Sequence, residues 1–376
     1  MSNKKNPPSK HAAKSPKNKK PTRYSKTVRV TVSIVSAFMT LIAVLLMTAG
    51  GYVSYYMNLI VNDSELDLGY VDSIPPDEDG MADSDTPLIP EEYNVSEVSS
   101  ISLKGNTSDV TNYLLLGIDA RTVKERGRSD TMMIVTINTK TKTIKLSSIL
   151  RDTAVTIPGR DRDGDGQDDY YKLNAAYAYG GFDLLSKTIE QNFRLKIDKY
   201  IGVNFVTFPI VVDAMGGVDI EMTAAETSQV CSADQKKEVG QSGFKRIGTK
   251  AGTYHLNGYQ ALQFARIRHL DSDFYRTGRQ RQVISKLLEK AKTMSLGTLT
   301  SVLSQALPNV ITNMSGDELM NLALNAGKYA SYKIESDFHL PEDGQYTNFR
   351  LPDGGAALGF KDVVKSVNNL HTWIYS

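Results

Sequence analysis

The chain has 376 residues, 40% of them hydrophobic and 23% charged, with a formal net charge of +2; this length suits one large or two ordinary domains, and the apolar share excludes a wholly disordered chain. A single cysteine, Cys231, excludes an intramolecular disulfide framework and every multi-cysteine zinc or iron–sulfur site. The small net charge averages three unlike regions: residues 1–30 hold ten Lys/Arg and no acid, residues 57–103 hold twelve Asp/Glu and no base, and 34 basic with 30 acidic residues follow from Lys104 onward.

Val30–Tyr52 comprises 23 residues without a charged side chain, and a helix of that length crosses a hydrocarbon core of about 30 Å. Tyr52, Tyr55 and Tyr56 stand at its far end, where amphipathic rings favour the interface. A cleaved signal peptide is the rival, but its apolar core is usually about 7–15 residues and ends in a small-x-small site, which Met47-Thr48-Ala49 does not supply. The cations before the span predict a cytoplasmic N-terminus and an exported remainder. That topology signal accounts for the basic tail, which has no element for reading bases, so no nucleic-acid partner is expected. Residues 57–105 are rich in Asp, Glu, Ser and Pro and read as a solvated tether with a random-coil reach of roughly 40 Å. The expected layout is a basic cytoplasmic tail over 1–29, a membrane span over 30–52, an acidic linker over 53–105 and an extracellular domain over 106–376.

Beyond Asn112 the pattern becomes that of a folded domain. Tyr113–Ile118, Thr131–Ile137 and Thr143–Ile149 are β-branched, apolar runs that predict strands. Asn174–Phe193 has helical spacing, interrupted by Gly180-Gly181; Lys199–Phe205 predicts a strand and Val206–Met215 a helix closed by Gly216-Gly217. Further helices are expected over Gly258–Phe264, Thr277–Thr293, Asp317–Ala330 and Phe360–Leu370, with a strand near Tyr332–His339. The sum is an α/β layered domain with a central mixed sheet flanked by helices.

Four constellations carry charge at the ends of these elements. Asp119 closes a strongly apolar strand, the end at which α/β sheets place ligands, although a carboxylate there equally caps a turn. Arg128 and Asp130 are two apart on an extended segment and share a face, as a simple ion pair or as half of a metal–phosphate site. Arg151-Asp152 follows the third strand. Arg266 and Arg268, then Arg276, Arg279 and Arg281, place five arginines and no lysine within residues 266–281. Exclusive use of Arg favours planar recognition of phosphoryl oxygens over a salt-bridged surface, and Arg276, Arg279 and Gln280 share one helix face. The run Asp161, Asp163, Asp165, Gly166 begins like a calcium loop, but Lys172 occupies the twelfth place, and an acidic surface turn explains it equally. The five histidines are scattered, and no Ser/His or Cys/His nucleophile arrangement has a local context.

In order, the segments Tyr113-Leu-Leu-Leu-Gly-Ile-Asp119, Arg128-Ser-Asp-Thr-Met-Met133, Ser148-Ile-Leu-Arg-Asp-Thr153, Lys172-Leu-Asn-Ala-Ala-Tyr-Ala-Tyr-Gly-Gly181, Ala261-Leu-Gln-Phe-Ala-Arg-Ile-Arg268 and Asp271-Ser-Asp-Phe-Tyr-Arg-Thr-Gly-Arg-Gln280 resemble those of the LytR–CpsA–Psr family of membrane-anchored envelope enzymes. The resemblance spans about Asn112 to Leu288. It implies transfer of a glycopolymer, such as a teichoic acid or capsular polysaccharide, from an undecaprenyl-pyrophosphate carrier to peptidoglycan at the membrane. It further implies Mg²⁺, with Mn²⁺ as the alternative, on Asp119 and Asp130. Arg128, Arg151, Arg266, Arg268, Arg276 and Gln280 match positions around the pyrophosphate, and Arg279, which shares a helix face with Arg276 and Gln280, is expected to bind it with them. Arg128, Arg151 and Arg268 are expected to stabilise the growing charge, with Asp273 or Asp271 as general base. Hydrolysis at the same site and a non-enzymatic envelope sensor are the alternatives. Arg281 stands where many members have Gln.

Overall fold

In a computed structural model of the chain, residues 61–62, 71, 74, 81–120, 127–162, 164–230, 247–268, 270 and 273–376 are described. The chain divides into two units, Met1–Ser54 and Tyr55–Ser376; the first, with the span expected over Val30–Tyr52, lies outside the described residues. Among the described residues no helix is long and apolar enough to cross a membrane.

The second unit is built on a seven-stranded sheet. A two-residue strand, β1 (Val61–Asn62), lies at one edge. β2 (Val110–Ile118), β3 (Ser129–Asn138) and β4 (Thr143–Ile149) form its antiparallel centre. The short pair β5 (Ala154–Thr156) and β6 (Tyr170–Lys172) leads into helix α1 (Leu173–Phe193). β7 (Lys199–Asn204) is followed by α2 (Thr207–Ala214), β8 (Val218–Met222), α3 (Ala224–Val230), β9 (Gly252–Leu256) and α4 (Gly258–Ala265). Then come α5 (Asp273–Ala291), α6 (Leu296–Ala306), β10 (Ile311–Thr312), α7 (Gly316–Leu324) and α8 (Ala326–Tyr329). β11 (Lys333–Leu340), the ribbon β12 (Tyr346–Arg350) and β13 (Ala356–Phe360), and α9 (Val363–Tyr375) complete it. The strand order is β1-β10-β7-β2-β3-β4-β11, with β2 parallel to β7 and β4 parallel to β11.

Alternation along β2 separates two faces. Leu114 and Leu116, both fully buried, pack with Leu185 and Ile189 of α1 and with Val367 and Leu370 of α9. Tyr113 turns the other way, toward Leu303 of α6 and Leu319 of α7. A one-residue slip would take both leucines out of the core formed with α1 and α9 and put Tyr113 and Leu115 in their place, so the burial pattern fixes the register. A second core, with Val212, Phe264, Ile267 and Val283, joins α2, α4 and α5 to the β8–β9 pair.

The layered α/β expectation holds, and the interruption of α1 falls at Gly180 and at Gly181, whose φ of 64° no β-carbon-bearing residue adopts readily. Two expectations change. Asp317–Ala330 is two helices, α7 and α8, rather than one. The tether expected over 57–105 is corrected over its second half, which is docked on the domain. Met81 bridges Gly355, Leu88 bridges Arg350, Val95 and Val98 sit in the main core, and Lys104 bridges Leu195. The hydroxyl of Tyr93 donates to the Ala154 carbonyl at 3.3 Å and accepts from the Phe360 N–H at 3.1 Å. Its acidic composition averages away a few apolar side chains that cannot fold alone yet have a formed surface to bind.

Candidate active site

β2, β4, β7 and β11 point the same way and β3 runs against them, so the ends Ile118, Ile149, Asn204 and Leu340 and the start Ser129 share one edge of the sheet. Ligand-binding groups gather at such carboxyl edges. Asp119 leaves β2 there, and Asp130 enters on β3. The Asp119 N–H donates to the Arg128 carbonyl at 2.9 Å, which sets the half-buried Arg128 beside it. Gly127 is required at this closure, because a β-carbon there would lie 1.8 Å from the Asp119 carbonyl oxygen.

Asp130 is the centre of the cluster. Its Oδ1 accepts from Arg151 Nη1 at 2.9 Å and its Oδ2 from Arg268 Nη2 at 3.0 Å. Burial pushes this carboxyl up, but the charge and hydrogen bond of Arg151, with Arg268 and Arg276, outweigh it and hold Asp130 below the usual range. Asp119 goes the other way: burial and then the charge of Asp130 raise it, against the pull of Arg266, Arg268 and Arg151.

Arg151 also reaches Asp152, Nε to Oδ2 at 3.4 Å, and Lys172 Nζ lies 3.3 Å from Asp152 Oδ1. Both cations are buried. At the start of α5, Asp273 pairs with Arg276 one turn on. Burial raises Asp273, with Asp152 adding to the effect, and burial lowers Arg276, with Arg151 and Arg268 adding to that. Arg266 and Arg268 flank Ile267, which is buried in the second core, and both line the same cavity. Arg266 covers the Phe205 ring at 4.3 Å.

An apolar cavity, open to solvent, meets this cluster. Leu115, Ile118, Val203, Phe208, Val283 and Ile284 supply its walls, and Asp130, Arg266, Arg268, Arg276 and Gln280 also line it. Its composition, apolar walls with a few converging polar groups, is that of a small-molecule site.

Arg151, Arg268, Arg276, Asp130 and Asp273 are thus brought together, with Asp119 and Arg266 close by. Arg279 is not. It is buried on the far flank of α5, where Nε donates to Glu226 Oε1 at 2.8 Å and Nη1 to the Ile267 carbonyl at 3.1 Å. The expectation that it meets a pyrophosphate is corrected: it ties α5 to α3. Lys172 was not among the expected site residues; its only local signal was the start of the Lys-Leu-Asn-Ala-Ala run. In the acidic loop, Asp161 accepts from the N–H groups of Gly164 and Gly166 at 2.7 and 2.8 Å, as a surface turn requires. Asp163, Cys231, His269 and Asp271 lie outside the described residues.

Among the described residues no group of three or more His, Cys, Asp or Glu is placed to hold a metal. Asp119 and Asp130 nonetheless suit a Mg²⁺ shared with a phosphate. Each carboxylate keeps free lone pairs, their mutual repulsion favours a cation, and Mg²⁺ typically takes one or two carboxylates and completes its shell with phosphate oxygens and water.

The sheet edge thus sets arginines and carboxylates at the end of an apolar cavity. The model of the LytR_cpsA_psr family matches residues 82–352, and the chain belongs to that family. It is 34% identical over 264 residues to the polyisoprenyl-teichoic acid–peptidoglycan teichoic acid transferase TagV of Bacillus subtilis, covering 65% of this chain and 64% of the relative, just under two thirds of its length. It is 36% identical over 249 residues to the corresponding TagU of Bacillus anthracis, covering 65% and 74%. Among solved structures, TagT bound to LI-WTA superposes with a TM-score of 0.55 at 30% identity, covering 72% of this chain and 92% of that one.

Proposed function

We propose that this protein is a phosphotransferase that moves a glycopolymer from an undecaprenyl-pyrophosphate carrier to peptidoglycan. The observation that carries the reading is Asp130, fixed between Arg151 and Arg268 at the end of an apolar cavity. The names of its TagU and TagV relatives describe the same transfer with a teichoic acid, and TagT binds LI-WTA at a comparable fold.

The donor's polyisoprenyl chain enters the cavity and its pyrophosphate meets Arg268, Arg276 and Arg151. A sugar hydroxyl of the acceptor attacks the sugar-linked phosphorus. The new O–P bond forms as the bond from phosphorus to the bridging oxygen breaks, and undecaprenyl phosphate leaves. Asp273 takes the hydroxyl proton; its Oδ2 is buried without a hydrogen-bond partner, and burial raises its affinity for a proton. The arginines are positioned before charge develops, which is where phosphoryl transfer gains most. Mg²⁺ held by Asp119 and Asp130, when bound, would neutralise charge on the phosphoryl oxygens. In the cell, the uncharged segment Val30–Tyr52 anchors the protein with its basic tail inside and this domain outside.

The test is labelled lipid-linked glycan incubated with peptidoglycan and Mg²⁺, with products resolved into wall-bound polymer and free polymer. Transfer that is normal in both Arg268→Ala and Asp130→Ala would refute the assignment. Release of free polymer alone, with acceptor present, would make the protein a hydrolase.

A further inference from the structure

The site's parts follow one another along the sheet edge. The apolar cavity draws on β7 and β2, the carboxylates stand at β2 and β3, and Arg151 ends β4. The next strand, β11, ends in His339 and Leu340, beside which lies a group of rings that the chemistry above does not use. Phe274, the residue after Asp273, stacks on Tyr346 of β12 with ring centroids 4.7 Å apart and planes at 28°. His339 meets Phe274 edge-on at 5.2 Å, and its Nδ1 lies 2.7 Å from the Pro341 carbonyl oxygen, which fixes the imidazole. All three rings are half-buried and stand apart from the five hydrophobic clusters of the described residues. Core packing therefore does not account for them. Asn348, two residues along β12 and on the same face as Tyr346, is exposed, as is Asp343.

Rigid aromatic faces bordered by exposed amide and carboxylate groups suit a pyranose, whose C–H face packs on a ring while its hydroxyls bond at the rim. Position selects which pyranose. In an in-line displacement the attacking oxygen and the leaving oxygen lie on opposite sides of phosphorus. The leaving group carries the polyisoprenyl chain, held on the β2–β7 side, so the attacking hydroxyl approaches from the β4–β11 side, where the rings are. We propose that Phe274, Tyr346 and His339 form the subsite for the acceptor saccharide. The inference rests on the phosphotransfer reading above.

The experiment uses the full chain with labelled lipid-pyrophosphate glycan as donor and uncross-linked peptidoglycan glycan strands as the varied acceptor. Phe274→Ala and Tyr346→Ala are each expected to raise the acceptor KM roughly tenfold, and the double variant further, with kcat at saturating acceptor and the donor Kd within twofold of the unaltered protein. Tyr346→Phe, which keeps the ring, should keep the unaltered KM. If the alanine variants do not fold, Phe274→Leu, which keeps volume without an aromatic face, carries the comparison against Tyr346→Phe. An unchanged acceptor KM in the double variant overturns the proposal. A weakened donor Kd with acceptor KM unchanged also overturns it and assigns the rings to the donor's own sugars. Unaltered protein that transfers nothing to peptidoglycan removes the phosphotransfer reading and the subsite together, whereas normal transfer with indifferent variants removes the subsite alone.

Discussion

Asp130→Asn isolates charge from shape at the centre of the site. The amide keeps one oxygen for one guanidinium but turns its NH₂ toward the other, so either Arg151 or Arg268 loses its acceptor. Arg151 bears most of the effect, since its side chain is 8% exposed against 35% for Arg268, which can rehydrate. Removing one partner of a buried pair costs about 3–5 kcal/mol; Arg151 retains Asp152 at 3.4 Å, which places the expected loss near the lower end, about 3 kcal/mol. For a domain of this size that lowers Tm by about 5 °C. One misdirected phosphate-binding arginine should reduce transfer by about 10²–10³-fold. The pH dependence has a definite sign. Asp130 is held below the usual carboxylate range in the fold, so as pH falls the unfolded chain takes up its proton first. The stabilisation is complete above that range and is lost as pH falls through the folded value. Thermal unfolding of both proteins in chelator should therefore show a gap that is full at neutral pH and closes below about pH 4. Equal Tm values at pH 7, or a gap that does not change with pH, would refute the reasoning.

Other substitutions separate structure from chemistry. Arg279→Ala should destabilise the fold by about 3 kcal/mol, the lower end for a buried pair, because Glu226 Oε2 keeps Thr223 as a donor, with residual folded protein retaining donor affinity by direct binding assay. Gly127→Ala drives a β-carbon into the Asp119 carbonyl and should cost about 1–3 kcal/mol in stability, together with a drop in kcat from misplaced carboxylates. Chelation should abolish transfer, and Asp119→Asn should raise the Mg²⁺ concentration for half-maximal rate by about 10–100-fold, the cost of a weakened ligand shell; normal rates in chelator would dismiss the metal.

Much of this was legible in the chain because periodicity and charge are local properties. The strands at 113–118, 131–137 and 143–149 announced themselves by β-branched apolar runs, and Arg266 and Arg268 by a two-residue spacing that the buried Ile267 enforces. Arg279 misled for an equally local reason. Helical spacing from Arg276 suggests a shared face, but a three-residue step rotates by about 300°, enough for one arginine to face the cavity and the next to find Glu226. Lys172 and the Phe274–Tyr346 stack were silent because they depend on tertiary contacts across 20 and 72 residues from Asp152 and Phe274. The strap at 81–105 was hidden by composition, which counts acids and prolines without regard to the surface awaiting a few apolar side chains.

The hairpin closure at Gly127 has an evolutionary consequence. Asp119 and Asp130 stand on opposite legs of one β2–β3 ladder, and their separation is set by that ladder and by the hydrogen bond from Asp119 to Arg128. Changes elsewhere in the domain that leave this ladder intact therefore leave the two carboxylates in the same relation, whereas a change of register in either strand would part them.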